Sequence, residues 1–123
     1  MTTFGLITLY VDDPTASASF YSYLTGRAPV ETTPSFAMLP LSDGVMLGLW
    51  SKDTVAPAAT PPGGGEVAFR VADTAALQAT YEDWQERGIR IAQKPTAMEF
   101  GHSFVALDRD GHRLRVFAEG APQ

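Results

Sequence analysis

Cysteine is absent from the 123 residues, histidine occurs twice, and Lys and Arg together number nine against fourteen Asp and Glu. Without a thiol the chain forms no disulfide, no thiolate metal site and no cysteine nucleophile, which fits a reducing compartment. The cytoplasm is the expected location. A few scattered cations under a net charge of -5 leave no basic stripe able to neutralise a row of phosphates, so nucleic acid is not an expected partner. Mostly apolar stretches such as residues 44–50 fall far short of the roughly 20 residues that span a bilayer. Met1-Thr2-Thr3 opens no basic, apolar leader. A soluble, unexported chain with no membrane partner is expected, at a length that ordinarily makes one domain of about 100–150 residues.

What is present is a duplicated pattern. Residues 7–11 read as a strand, and Asp13-Pro14 supplies a helix N-cap followed by proline at the first helical position, where its missing N–H costs nothing. Ala16, Phe20, Tyr21 and Leu24 recur at helical spacing, and Gly26 closes the run as a left-handed cap. Pro29 and Pro34 punctuate two short extended pieces, and Ser42-Asp43-Gly44 turns the chain into a last strand over 45–51. The unit is βαβββ.

Residues 52–65 change in composition to Ala, Pro, Thr and Gly and read as a connector without a core-facing pattern. The first unit then returns: Val11, Asp13, Ala16, Tyr21 and Leu24 reappear 60 positions on as Val71, Asp73, Ala76, Tyr81 and Trp84. The second glycine turn, Asp110-Gly111, follows Asp43-Gly44 by 67 positions, aligning Leu47 with Leu114 and Trp50 with Phe117. The extra residues are expected in the helix end and the hairpin loops. The predicted architecture is α+β, a single domain over 1–123 built of module 1 (4–51), the connector (52–65) and module 2 (66–118).

Alternation along each strand separates two faces. Ile7, Leu9, Val11, Leu47 and Leu49, with Val67, Phe69, Val71, Leu114 and Val116, are uniformly apolar and belong under the helices. The opposite face carries Leu6, Thr8, Tyr10, Met46, Gly48 and Trp50 in the first unit, and Glu66, Ala68, Arg70, Arg113, Arg115 and Phe117 in the second. A solvated sheet face explains such a mixture in part. Three aromatics and a methionine are much apolar surface to leave wet, so a ligand-binding concavity explains it better.

Leu9-Tyr10-Val11-Asp12-Asp13-Pro14 with Phe20-Tyr21, the strand Val67-Ala68-Phe69-Arg70-Val71-Ala72-Asp73, and Asp108-Arg109-Asp110-Gly111-His112 together resemble the vicinal oxygen chelate superfamily. Glyoxalase, extradiol dioxygenases and bleomycin-resistance proteins belong to it. The resemblance implies that each module is a curled mixed sheet backed by a helix, that two modules form a cup, and that the protein is a homodimer, with the cup built within one chain or by domain exchange. It also implies four metal positions, which fall on Leu6, Gly48, Glu66 and Arg115. Only Glu66 is a ligand, and a catalytic metal ordinarily takes at least three. Neither a metal nor a cofactor is therefore expected, and no catalytic residue is assigned.

Within the superfamily, Leu9-Tyr10-Val11, Phe20-Tyr21, Pro34, Phe36, Leu49-Trp50-Ser51 and residues 110–116 resemble phenazine-resistance and thiocoraline-binding proteins, which sequester planar, DNA-intercalating antibiotics. The implied ligand is a small planar aromatic antibiotic, and the implied role is self-resistance. Trp50 is the expected stacking platform, with Tyr10, Phe104 and Phe117 as an opposite wall. Phe36, Met38, Met46, Thr8 and Gly48 complete the expected lining, methionine adapting to irregular outlines. Arg115 either anchors a carboxylate or hydroxyl of the ligand or bridges to Glu66. The competing expectations are a metal-dependent glyoxalase or dioxygenase with displaced ligands among Glu66, Glu99, His102 and Asp108, and a structural dimer whose cup is filled by side chains. Tyr81 and Trp84 are expected in the core.

Overall fold

The computed structural model describes residues 1–120. The chain divides inside the expected connector, after Pro62, into two compact units, each a four-stranded mixed sheet with one helix. The architecture is α+β, as the duplicated pattern predicts.

The first unit runs β1 (Leu6–Val11), α1 (Pro14–Thr25), β2 (Glu31–Thr32), β3 (Phe36–Ser42) and β4 (Val45–Ser51), in sheet order β1-β4-β3-β2. β1 and β4 are parallel and the remaining pairs antiparallel. The helix begins where the local chemistry demands: Asp13 is extended and its carboxylate accepts from the Ala16 N–H at 3.2 Å, Pro14 follows, and Gly26 ends the helix at φ 71°. Ala18 and Tyr21 of α1 join Val11, Ala37, Leu39, Leu47 and Leu49 in a fully enclosed core. Each leucine so enclosed contributes about 1.5–3 kcal/mol of transfer free energy. The connector departs from expectation at its start. Thr54 and Val55 donate their N–H groups to the Ser51 carbonyl, Lys52 donates to Val11, and this turn seats Val55 in the core at 8% exposure.

The second unit runs β5 (Glu66–Arg70), α2 (Thr74–Glu86), β6 (Ile91–Met98), β7 (Gly101–Leu107) and β8 (Arg113–Glu119), in order β5-β8-β7-β6, with β5 and β8 parallel. Asp73 caps α2 as Asp13 caps α1, accepting from Ala76 N–H at 2.8 Å. Tyr81 and Trp84 of α2 are buried, as expected, against the Phe104 ring, and Leu77, Leu114 and Val116 are buried with them. The extra length of this unit enters chiefly as strand and not as loop: β6 has 8 residues where β2 has 2. β6 is an edge strand whose register shifts on both sides of Gln93, and Pro95 lies within the second shift. An edge tolerates a residue without an N–H because one side of the strand needs no partner. No helix among the described residues is long and apolar enough to cross a membrane.

Candidate functional site

In the first unit the sheet face turned away from α1 is laid out in three cross-strand rows: Leu6, Met46 and Pro40; Thr8, Gly48 and Met38; Tyr10, Trp50 and Phe36. Their neighbours in sequence, Ala37, Leu39, Leu47 and Leu49, point the other way and are completely buried. Alternation thus places the expected residues Tyr10, Thr8, Phe36, Met38, Met46, Gly48 and Trp50 on one face. All of them except the buried Gly48 are half-buried. An aromatic and thioether surface in that condition is available to a ligand while remaining rooted in a sheet.

The centre of this face is closed by Phe36. A Cβ on Gly48 would stand 3.0 and 3.2 Å from Cζ and Cε1 of the Phe36 ring and 3.1 Å from Thr8 Oγ1. The ring therefore leans from its own row onto the glycine and uses the space a side chain would fill. Its root is held firmly. The Phe36 N–H donates to Thr33 Oγ1 at 3.0 Å, and its carbonyl accepts from the Thr33 N–H at 2.8 Å and the Thr33 hydroxyl at 3.0 Å. Phe36 and Trp50 make a T-shaped contact, centroids 6.0 Å apart and planes at 90°, a favoured arrangement of two ring quadrupoles.

The corresponding face of the second unit is polar. Arg115 closes on Glu66 with two hydrogen bonds, Nε to Oε2 at 2.6 Å and an η-nitrogen to Oε1 at 3.1 Å, and its other η-nitrogen donates to the buried Ser103 hydroxyl at 2.9 Å. Of the two roles expected for Arg115, the bridge to Glu66 is the one this geometry displays. Phe117 is engaged as well. The Arg70 guanidinium sits 5.2 Å from its ring centre and is held by Glu119 at 2.8 Å, while the exposed Phe100 meets it edge to face at 6.1 Å. Arg70 and Phe100 were not among the expected site residues. The register that pairs Arg70 with Phe117 follows from the repeat, since it duplicates the pairing of Tyr10 with Trp50.

Phe104 is a correction. It was expected on the ligand wall, but it is fully buried on the α2 side, 5.5 Å from the Tyr81 ring and 5.4 Å from the Trp84 ring. Its phase along β7 decides this: Phe104 pairs with Val116, on the helix side. The 67-residue repeat carries the signal, because it makes Phe104 the mate of the buried Ala37.

The profile of the Glyoxalase/Bleomycin resistance protein/Dioxygenase superfamily matches residues 3–116. The chain belongs to this superfamily. A protein of Agrobacterium tumefaciens with a solution NMR structure is 47% identical, with 98% of this chain and 100% of that one covered and a TM-score of 0.89. The phenazine antibiotic resistance protein EhpR of Enterobacter agglomerans is 26% identical over 111 residues, covering 88% of this chain and 85% of its own. A glyoxalase-related enzyme of Fulvimarina pelagi shares the fold at a TM-score of 0.84, with 24% identity over 97% of this chain and 89% of that one.

The four positions that the superfamily resemblance gives to a divalent ion do not fit one here. Leu6 and Gly48 carry no donor atom, the volume above Gly48 holds the Phe36 ring, and both Glu66 oxygens are bonded to the Arg115 guanidinium. A fixed cation at one ligand position repels a second cation. The displaced set is not assembled either. His102 pairs with the buried Ala118 and shares the helix-side phase of Phe104 and Ala106, whereas Glu66 pairs with Arg113 on the opposite face. Glu99 lies in the β6–β7 turn, and the buried Asp108 serves its own turn, accepting from the Asp110 and His112 N–H groups. No group of three or more His, Asp and Glu among the described residues is placed to hold a metal ion.

Proposed function

We propose that this chain binds a flat aromatic natural product of antibiotic character and holds it unchanged, as a cytoplasmic, homodimeric self-resistance protein. The observation that carries this reading is the half-buried surface of Trp50, Phe36, Tyr10, Met38 and Met46 on one face of the first unit. Membership of a superfamily with bleomycin-resistance proteins and similarity to a phenazine antibiotic resistance protein support it. Similarity to a phenazine antibiotic resistance protein favours a phenazine over a bis-quinoline peptide such as thiocoraline.

The energetics suit a binder of this kind. Covering roughly 300 Å² of a three-ring system at about 25 cal/mol per Å² contributes about 7–8 kcal/mol before association entropy is subtracted. A well-arranged aromatic pair adds about 0.5–1.5 kcal/mol. Once that entropy is subtracted, stacking alone leaves a modest affinity, which a bivalent ligand, a dimeric cup or a polar anchor would tighten.

Tryptophan emission tests the proposal, provided the two indoles are separated. Trp84 is buried at 5% exposure in the second unit's core, so Trp84→Phe leaves Trp50 as the sole emitter. Titration of that variant with phenazine is expected to quench emission saturably, and Trp50→Ala in the wild-type background to weaken binding by about tenfold or more, read by calorimetry. Unchanged emission up to high micromolar phenazine and thiocoraline would end the proposal.

A further inference from the structure

We infer that Phe36, seated on Gly48, is the size gauge of this site: a wall set across the path of a ring stacked on Trp50, which limits how many fused rings enter. The inference rests on the stacking role proposed for Trp50. Two aromatic side chains can sandwich a flat ligand only if their planes are parallel, and here they stand at 90°. A ring stacked on the indole lies parallel to it, and so meets Phe36 perpendicularly. Phe36 then ends the slot and does not form its second face.

Two further observations make this wall a fixed one. Its backbone is tied at both N–H and C=O to Thr33, so the ring cannot retreat with its strand. Its far edge already touches down at Gly48, with the positions 3.0–3.2 Å from Cζ and Cε1 available only because no Cβ is present. Such distances are tighter than ordinary van der Waals contact, so Gly48→Ala would lift the ring toward the ligand space, and Phe36→Leu would open the Gly48 row. The glycine and the phenylalanine therefore work as a pair. A small residue at 48 sets how low the ring lies, and the ring sets the length of the slot.

The test is a selectivity series with quinoxaline, phenazine and benzo[a]phenazine, of two, three and four fused rings, titrated by calorimetry into the wild-type protein, Phe36→Leu, Gly48→Ala and Trp50→Ala. Phe36→Leu is expected to improve the four-ring ligand relative to the two-ring ligand by about tenfold, Gly48→Ala to shift the ratio the other way, and Trp50→Ala to weaken all three alike. A Phe36→Leu variant that loses affinity equally for all three ligands, or changes for none, would overturn the gauge while leaving the stacking role standing. A wild-type protein that binds none of the three would overturn the proposed function instead. A ligand-free readout then still judges Phe36: with its ring over Gly48, the glycine α-protons are expected upfield in the NMR spectrum and return downfield in Phe36→Leu. Identical shifts in the two proteins would remove the gauge.

Discussion

Asp108 is 2% exposed, and its carboxylate is engaged within the β7–β8 turn: Oδ1 accepts the N–H groups of Asp110 and His112 at 2.9 Å each. Its backbone N–H donates to the His112 carbonyl at 3.0 Å, and its carbonyl accepts Arg90 at 2.8 Å. Hydrogen bonds to a charged acceptor contribute about 1.5–3 kcal/mol, and removing the acceptor leaves its donors unsatisfied. Asp108→Ala is therefore expected to destabilise the protein by about 3 kcal/mol, and Asp108→Asn, which retains an oxygen acceptor, by roughly half as much, read from urea midpoints. Equal losses from the two variants would show that charge, and not the paired N–H contacts, is what the turn requires. Two of the three arginines on the second unit's polar face differ in the same way. Arg115 is bound at both ends by Glu66 and Ser103, whereas Arg70 covers the Phe117 ring.

Strand ends show how one glycine differs from another. Gly101 opens β7 at φ +142°, and a Cβ there would stand 2.1 Å from the Ala118 carbonyl oxygen, a backbone atom with no room to yield. Gly44, in the β3–β4 turn at φ +74°, has open space around it. Gly44→Ala is expected to cost about 1 kcal/mol of left-handed strain. Gly101→Ala is expected to cost several times as much, up to loss of the folded β7–β8 pair, and thermal melts of the two variants compare them directly. Much of each element was legible in advance, because short-range chemistry dictates it. Asp13-Pro14 and Gly26 bound α1, Asp43-Gly44 turns the chain into β4, and alternation assigns Tyr10, Trp50 and Met46 to one face. Three features escaped. The phase of Phe104 depends on β7 pairing with β8, the length of β6 depends on an edge that tolerates Pro95, and Val55 is buried by a turn in a segment whose composition carries no periodic signal. Each is decided by a partner distant in sequence or by a single backbone turn, and local pattern encodes neither. The lean of Phe36 onto Gly48 belongs with them, since only the register that sets Trp50 beside Phe36 and Gly48 beside Met38 makes it visible.

At the scale of the whole chain, net charge bears on the proposed role. A protein of charge -5 is repelled on balance by a duplex of like charge, so retention of DNA is not expected even at low salt. The proposed protection then works through the free ligand. An intercalator partitions between base stacks and protein according to their concentrations and dissociation constants, and a ligand present at 100 times its dissociation constant stabilises the folded protein by about 2.7 kcal/mol. Added in excess over phenazine, the protein is expected to return the raised melting temperature of a duplex to that of free DNA, and in a separate melt with phenazine in excess the protein's own midpoint is expected to rise. The reversal should grade with protein concentration as the two dissociation constants dictate, and the Trp50→Ala variant should fail at a concentration where the wild type succeeds. Denaturing the mixture and weighing the ligand by mass spectrometry closes the argument: a binder releases it unchanged at full yield, whereas an altered mass appearing in excess over protein would mean turnover and would replace sequestration with catalysis.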